Sequence, residues 1–152
     1  MVTIVSSPTA LLDLVGCDLG PGEWIPVPRN DIEHFAAATH HPSWSYTASE
    51  FTNEGPCDEG IAPGCFTLAL LMPMWSQLLV IERARPAVHF GFNRVRFLSP
   101  VPAGSRVRLG ATVAAVEEVK GNGYQVTVAG TVECNRSDKP AVVAEMVYRY
   151  YS

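Results

Sequence analysis

From Gly60 to Ile81 the chain is almost wholly apolar and carries no charge, with Thr67, Ser76 and Gln77 as its polar interruptions. A helix apolar on every side has no solvent face and has to be enclosed. This run nearly reaches bilayer length, but its interruptions and the strand-like sequence after it predict a central helix buried in protein, not in lipid. Pro73 falls inside it and predicts a kink unless the ring clash is relieved. Gly64, near its start, draws attention because the unpaired N–H groups of a helix N-terminus form a natural site for an oxyanion.

Beyond Arg83-Ala84-Arg85-Pro86 the pattern turns from helical to alternating and stays so to the end. Ala87 to Phe97 reads as a strand, and Pro100-Val101-Pro102-Ala103-Gly104 as a turn or bulge. Ser105 to Val119 alternates through Val107, Leu109, Ala111 and Val113. Lys120 to Gly123 is a hairpin turn, and Tyr124, Val126 and Val128 share one face of the next strand. Asp138-Lys139-Pro140 is a further turn before a last strand, Ala141 to Tyr151. Helical material therefore precedes an antiparallel sheet, and the economical architecture is α+β, a sheet curled around one long helix.

Ahead of the central run, residues 1–15 are expected to be a loose lead-in. Gly20, Pro21 and Gly22 turn into a short strand, Glu23 to Val27, whose prolines suggest a sheet edge. Asn30 and Glu33 have capping-box spacing and predict a helix from Asp31 to about Thr39, with Ile32, Phe35 and Ala36 on one face. His40-His41-Pro42-Ser43-Trp44-Ser45-Tyr46 ends that helix, Pro42 biasing His41 toward extended backbone. This cluster is either functional or a core Trp44 flanked by ordinary loop histidines. Thr47 to Thr52 suits a short helix, and Asn53 to Gly60 a loop placed to act as a lid.

With 152 residues, 47% of them hydrophobic, the chain has material for one domain with its own core. A net charge of -4 and no Lys/Arg cluster argue against nucleic acid or a polybasic membrane contact. Met1 to Ala10 lacks a basic segment followed by an apolar one, which predicts no secretory leader and a cytoplasmic protein. Cys17, Cys57, Cys65 and Cys134 fit neither a redox pair nor a zinc template. They are expected as free, mostly buried thiols, and no metal or other cofactor is expected.

Three features together resemble the MaoC-like group of hot-dog proteins: the loop after a short helix, Ile61-Ala62-Pro63-Gly64 opening a buried helix, and the segment from Phe90 to Arg108 with Phe90-Gly91-Phe92-Asn93-Arg94-Val95-Arg96-Phe97 followed by Leu98-Ser99-Pro100-Val101-Pro102-Ala103-Gly104. The likeness runs from about Val27 to the C-terminus. It implies a hot-dog fold, a long antiparallel sheet wrapped around one helix, usually dimeric with sites at the subunit interface. It implies acyl thioesters on coenzyme A or an acyl carrier protein as substrates, and reversible addition of water to an enoyl double bond. The family's catalytic Asp and His align with His41 and Tyr46, so both are replaced, and its His-Gly pair before the helix is Pro63-Gly64. Gly64, whose backbone N–H in the family binds the thioester carbonyl oxygen, is retained.

Thioester hydration builds negative charge on the carbonyl oxygen and needs an oxyanion stabiliser, a part Gly64 can supply. It also needs a proton acceptor and a donor. A neutral His41 suits the first and the protonated phenol of Tyr46 the second. Two readings follow. One is a lyase that performs dehydration, double-bond migration or ring closure on an enoyl or 3-hydroxyacyl thioester or a polyketide-like enone, as in natural-product biosynthesis. The other is a non-catalytic binding or partner subunit; a thioesterase ranks third. A homodimer is expected. Trp44, Cys65, Phe90, Asn93 and His40 are candidate substrate contacts. Cys65 is either a thiol activated by the helix dipole or a packing residue, and Asn93, Arg94 and Arg96 are either pantetheine contacts or surface groups. His89 reads as a wall residue, His34 as exposed, and Asp58 or Glu59 as the nearest acids.

Overall fold

The computed structural model describes residues 1–41 and 60–152. Trp44, Tyr46, Cys57, Asp58, Glu59, the expected short helix at Thr47 to Thr52 and all of the expected lid except Gly60 lie outside the described residues. In chain order the elements are β1 (Thr3–Val5), a 3-10 helix (Pro8–Leu14), β2 (Asp18–Leu19), β3 (Ile25–Val27), α1 (Arg29–Ala38), β4 (Ile61–Ala62), α2 (Gly64–Leu78), β5 (Leu79–Ile81), β6 (Val88–Phe97), β7 (Val101–Pro102), β8 (Ser105–Val119), β9 (Gly123–Cys134) and β10 (Val142–Tyr151).

The alternation in the second half becomes an antiparallel sheet in the order β2-β8-β9-β10-β6, with β3 also on β8. Register pairs Leu109 with Val132 and Val132 with Val142. Successive side chains in a strand point to opposite faces, so this register assembles one apolar face from Val107, Leu109, Val113, Val126, Val128, Val132, Ala144 and Met146, all buried. The hairpin between β8 and β9 closes through Gly121 and Asn122, both in the left-handed region at φ 89 and 61; Asn is among the few non-glycine residues that enter it readily.

Against that face lies α2, burying Phe66, Thr67, Leu71, Met74, Trp75 and Leu78. The indole of Trp75 stacks on Tyr148 with ring centroids 6.1 Å apart and donates to the Tyr150 hydroxyl at 2.8 Å. This is the hot-dog arrangement, a long sheet around one helix.

Several expectations are corrected. The helix is shorter than its apolar run, because Ile61–Ala62 pairs with β7 and Leu79–Ile81 pairs in parallel with β1. It is also not enclosed all round by the described residues: Cys65, Ala69, Met72, Pro73, Ser76 and Gln77 are exposed. Pro73 sits on that face and the helix runs through it, so the hydrogen bond that the proline forfeits lies on the solvent side. The lead-in is not loose, since β1 is paired and Leu11 of the 3-10 helix is fully buried. Helix α1 begins at Arg29 with Pro28 at its cap and no side-chain cap bond; Glu33 instead pairs with Arg29 at 3.2 Å. Of the described thiols, Cys134 is buried but Cys17 and Cys65 are exposed.

Helix α1 ends in a Schellman motif. The His41 amide donates to Ala36 and the His40 amide to Ala37, with His40 at φ 58. This left-handed position favours glycine. His40→Gly is therefore expected to raise stability by about 1 kcal/mol, read as a higher denaturant midpoint at constant slope.

Burial pushes the Tyr150 phenol up to about 12 against the opposing pull of the Trp75 hydrogen bond, and raises Tyr148 as well, with the neighbouring Tyr150 adding to the rise. An unfolded phenol ionises near pH 10, so the stability these groups hold is complete below about pH 10 and is lost as pH climbs toward 12. Denaturant midpoints measured across that window should fall for the native protein, and Tyr150→Phe should fall less steeply.

Candidate active site

The N-terminus of α2 is the best-built site among the described residues. Pro63 caps the helix in extended backbone and offers no side-chain hydrogen bond; its carbonyl accepts from the Phe66 and Thr67 amides. No cap therefore claims the Gly64 and Cys65 amides at the first turn, where the helix dipole also favours negative charge. The approach to the helix is fixed from both sides: β4 pairs with β7, the Ala103 amide donates to Gly60, and the Gly104 amide donates to Val27. Gly104, at φ 84, turns the chain into β8 where a side chain would be strained.

Gly64 lines a cavity of about 560 Å³ together with Thr67, Phe97, Ser99, Val101 and Val142. Thr67, three residues on, shares the glycine's side of the helix and is itself 1% exposed. The ring of Phe97 closes on Gly64 so tightly that a Cβ there would lie 2.8 Å from two ring carbons. A side chain at position 64 would therefore have to displace the Phe97 ring, itself 53% exposed.

The candidate substrate contacts divide by position. Phe35 of α1 meets Phe66 of α2 edge to face, with centroids 5.6 Å apart, which lays the last turns of α1 on the first turn of α2. His40 and His41 follow from that junction, both exposed. Cys65 is exposed one residue into α2. Phe90 is exposed under the Arg149 guanidinium, 3.8 Å from its ring centroid. It stands about 23 Å of strand from Phe97, so the chain does not bring it to Gly64. Asn93 donates to Glu145 at 2.8 Å, and Arg94 and Arg96 are exposed. His89 is half-buried, its ring 4.8 Å from that of Tyr148; burial lowers its pKa, with a hydrogen bond to Gly91 opposing. Trp44 and Tyr46 lie outside the described residues.

Sequence reasoning missed Phe97 and the use of Thr67. Thr67 had a signal, as a polar residue three after Gly64 in an otherwise apolar helix. Phe97 had none, because its partner is remote in sequence.

Gly64→Ala is expected to cost about 1–3 kcal/mol by overpacking against Phe97. The same change made in a Phe97→Ala background should cost much less, and a double-mutant cycle on denaturant midpoints reads the coupling directly.

Residues 14–135 match the model of the MaoC like domain. The chain is 38% identical over 135 residues to 3-hydroxyacyl-thioester dehydratase Z of Mycobacterium tuberculosis, covering 89% of each chain. It is 37% identical over 136 residues to nodulation protein N of Rhizobium leguminosarum bv. viciae, covering 88% of this chain and 84% of the relative. Among solved structures it resembles the monoamine oxidase regulatory protein of Archaeoglobus fulgius at a TM-score of 0.76 and 22% identity, covering 100% of this chain and 99% of that one. A family match across most of the length, on the sheet-wrapped helix already described, places this chain in the MaoC-like family.

Proposed function

We propose that the protein is a hydratase or dehydratase of enoyl or 3-hydroxyacyl thioesters, delivered on coenzyme A or an acyl carrier protein. The observation that carries this reading is the uncapped first turn of α2, where Gly64 opens onto a cavity of about 560 Å³. In the hydration direction, His41 takes a proton from water and the oxygen adds to the β-carbon. The electron pair of the double bond moves toward the thioester carbonyl, and its oxygen is held by the Gly64 amide. Tyr46 delivers a proton to the α-carbon, and dehydration reverses these steps. Ring closure or double-bond migration on a polyketide-like substrate would use the same enolate, with a different nucleophile or proton site.

The oxyanion contact is the term that lowers the barrier most, since a preorganised donor acts where charge develops. The acid and base add a smaller factor, about 10²–10⁴. The relatives support the substrate class: one of them is named for dehydration of 3-hydroxyacyl thioesters. Exposure of His41 and the edge of β6, which has no further neighbour among the described residues, favour a site completed in a homodimer, with strand paired to strand across the two copies.

Purified protein incubated with short trans-enoyl and 3-hydroxyacyl thioesters in heavy-oxygen water is expected to incorporate label into the 3-hydroxyacyl product. His41→Ala and Tyr46→Phe should each slow incorporation at least about 100-fold with the fold intact by circular dichroism. Wild-type turnover by both variants would sink the proposed pair. No turnover by a confirmed dimer would favour a non-catalytic partner subunit or a ring-closing enzyme.

A further inference from the structure

Strand β6 is paired to β10 unevenly. His89 stands opposite Tyr148 and Gly91 opposite Val147, which leaves Phe90 over; Phe92 stands opposite Met146 and Arg94 opposite Glu145, which leaves Asn93 over. Each extra residue is a bulge that interrupts the ladder. The stretch from Val88 to Phe92 is therefore held less firmly through its backbone than the unbroken stretch from Arg94 to Phe97, and on its outer side β6 has no further neighbour among the described residues.

Side chains hold this stretch instead. The bulge at Phe90 turns His89 and Phe92, three residues apart, to one side of the strand, where regular alternation would part them. Their rings meet edge to face with centroids 4.6 Å apart, and the His89 ring lies 4.8 Å from that of Tyr148, tilted by 33°. Tyr148, 4% exposed, stacks in turn on Trp75. His89 thus ties the loose end of an edge strand to the core.

That place suits a neutral imidazole and not an imidazolium. The ring is hydrogen-bonded to the Gly91 backbone, while Nε2 is buried without a partner. A bare lone pair is tolerable there, but a proton on Nε2 would add both a charge and a donor with nothing to receive it. No anion faces the ring. Strand β10 presents Tyr148 and Tyr150, whose phenols burial keeps protonated, and α2 presents Trp75. The loop before β6 carries Arg85, a cation lining the same cavity as both tyrosines, and Glu82 and Arg83, whose amides are bound to Val5 and Ser6. Glu145 accepts from Asn93, and Arg149 stacks on Phe90, both on the other face of the sheet.

We infer that His89 is an acid-sensitive latch on the β6 margin: neutral, it holds Val88 to Phe92 against β10, and on protonation it leaves the aromatic cluster and releases that stretch. A proton barred from the closed strand but free to bind the open one favours opening once pH falls below the ordinary imidazole value of 6.5. The inference is independent of the chemistry at Gly64.

The test is hydrogen exchange read by mass spectrometry on the full chain, corrected for the intrinsic effect of pH and made without any thioester present. Between about pH 7.5 and about pH 5.5, one unit below the free imidazole value, protection of the peptide over Val88 to Phe92 is expected to fall about tenfold relative to that of β8. His89→Phe, which keeps an aromatic ring and cannot take a proton, should abolish the difference; if it fails to fold, His89→Leu takes its place. An equal response in β6 and β8, or a response kept in the variant, would overturn the inference.

Discussion

A helix rich in Leu and Met but carrying no charge needs a cover, and the burial of one of its faces is the constraint on which this structure depends. Leu71, Met74, Trp75 and Leu78 are each 2% exposed or less. Each such side chain contributes roughly 1.5–3 kcal/mol when withdrawn from water. The sheet supplies the matching surface through three long strands held in register, so that valines, Ala144 and Met146 face inward together. Because the helix is fixed along its length, its two ends are fixed too. One presents uncapped amides beside Gly64, and the other presents an indole to two tyrosines.

The two ends differ in chemistry for a simple reason. A helix N-terminus exposes donors of the backbone, and here proline caps it, so no side chain competes for them. At the far end the donors are side chains, placed by β10, where Tyr148 and Tyr150 fall on one face at the strand period of two.

Much of this was legible in the chain. Alternation located β6, β8 and β10 within a residue or two and the start of β9, and the apolar run located α2. Its limits were overdrawn because Ile61–Ala62 and Leu79–Ile81 are apolar for a different reason, as strands paired to β7 and β1. Uniform apolarity was also read as uniform burial, although Met72 is 41% exposed; composition records what a face tolerates, not what covers it. The capping box failed because the helix starts at Arg29 behind Pro28, which puts Asn30 inside the first turn, while Glu33 pairs with Arg29. Gly64 was legible as a candidate because glycine opens a helix beside a turn. The demand that Phe97 places on it was not, since that contact joins residues far apart in sequence and only the folded chain creates it.

The two margins of the main sheet are unequal. On one side β8 is flanked by strands of two and three residues, the latter containing Pro26, which cannot donate. On the other, β6 offers ten residues with no further neighbour among the described residues. A ribbon that accepts a neighbour along one margin and refuses it along the other has a fixed growth limit. Among the described residues β6 is the long margin of the main sheet that stays open. The short, proline-bearing margin beside β8 is poorly suited to a further strand, so the sheet cannot grow equally from both sides into an open-ended stack.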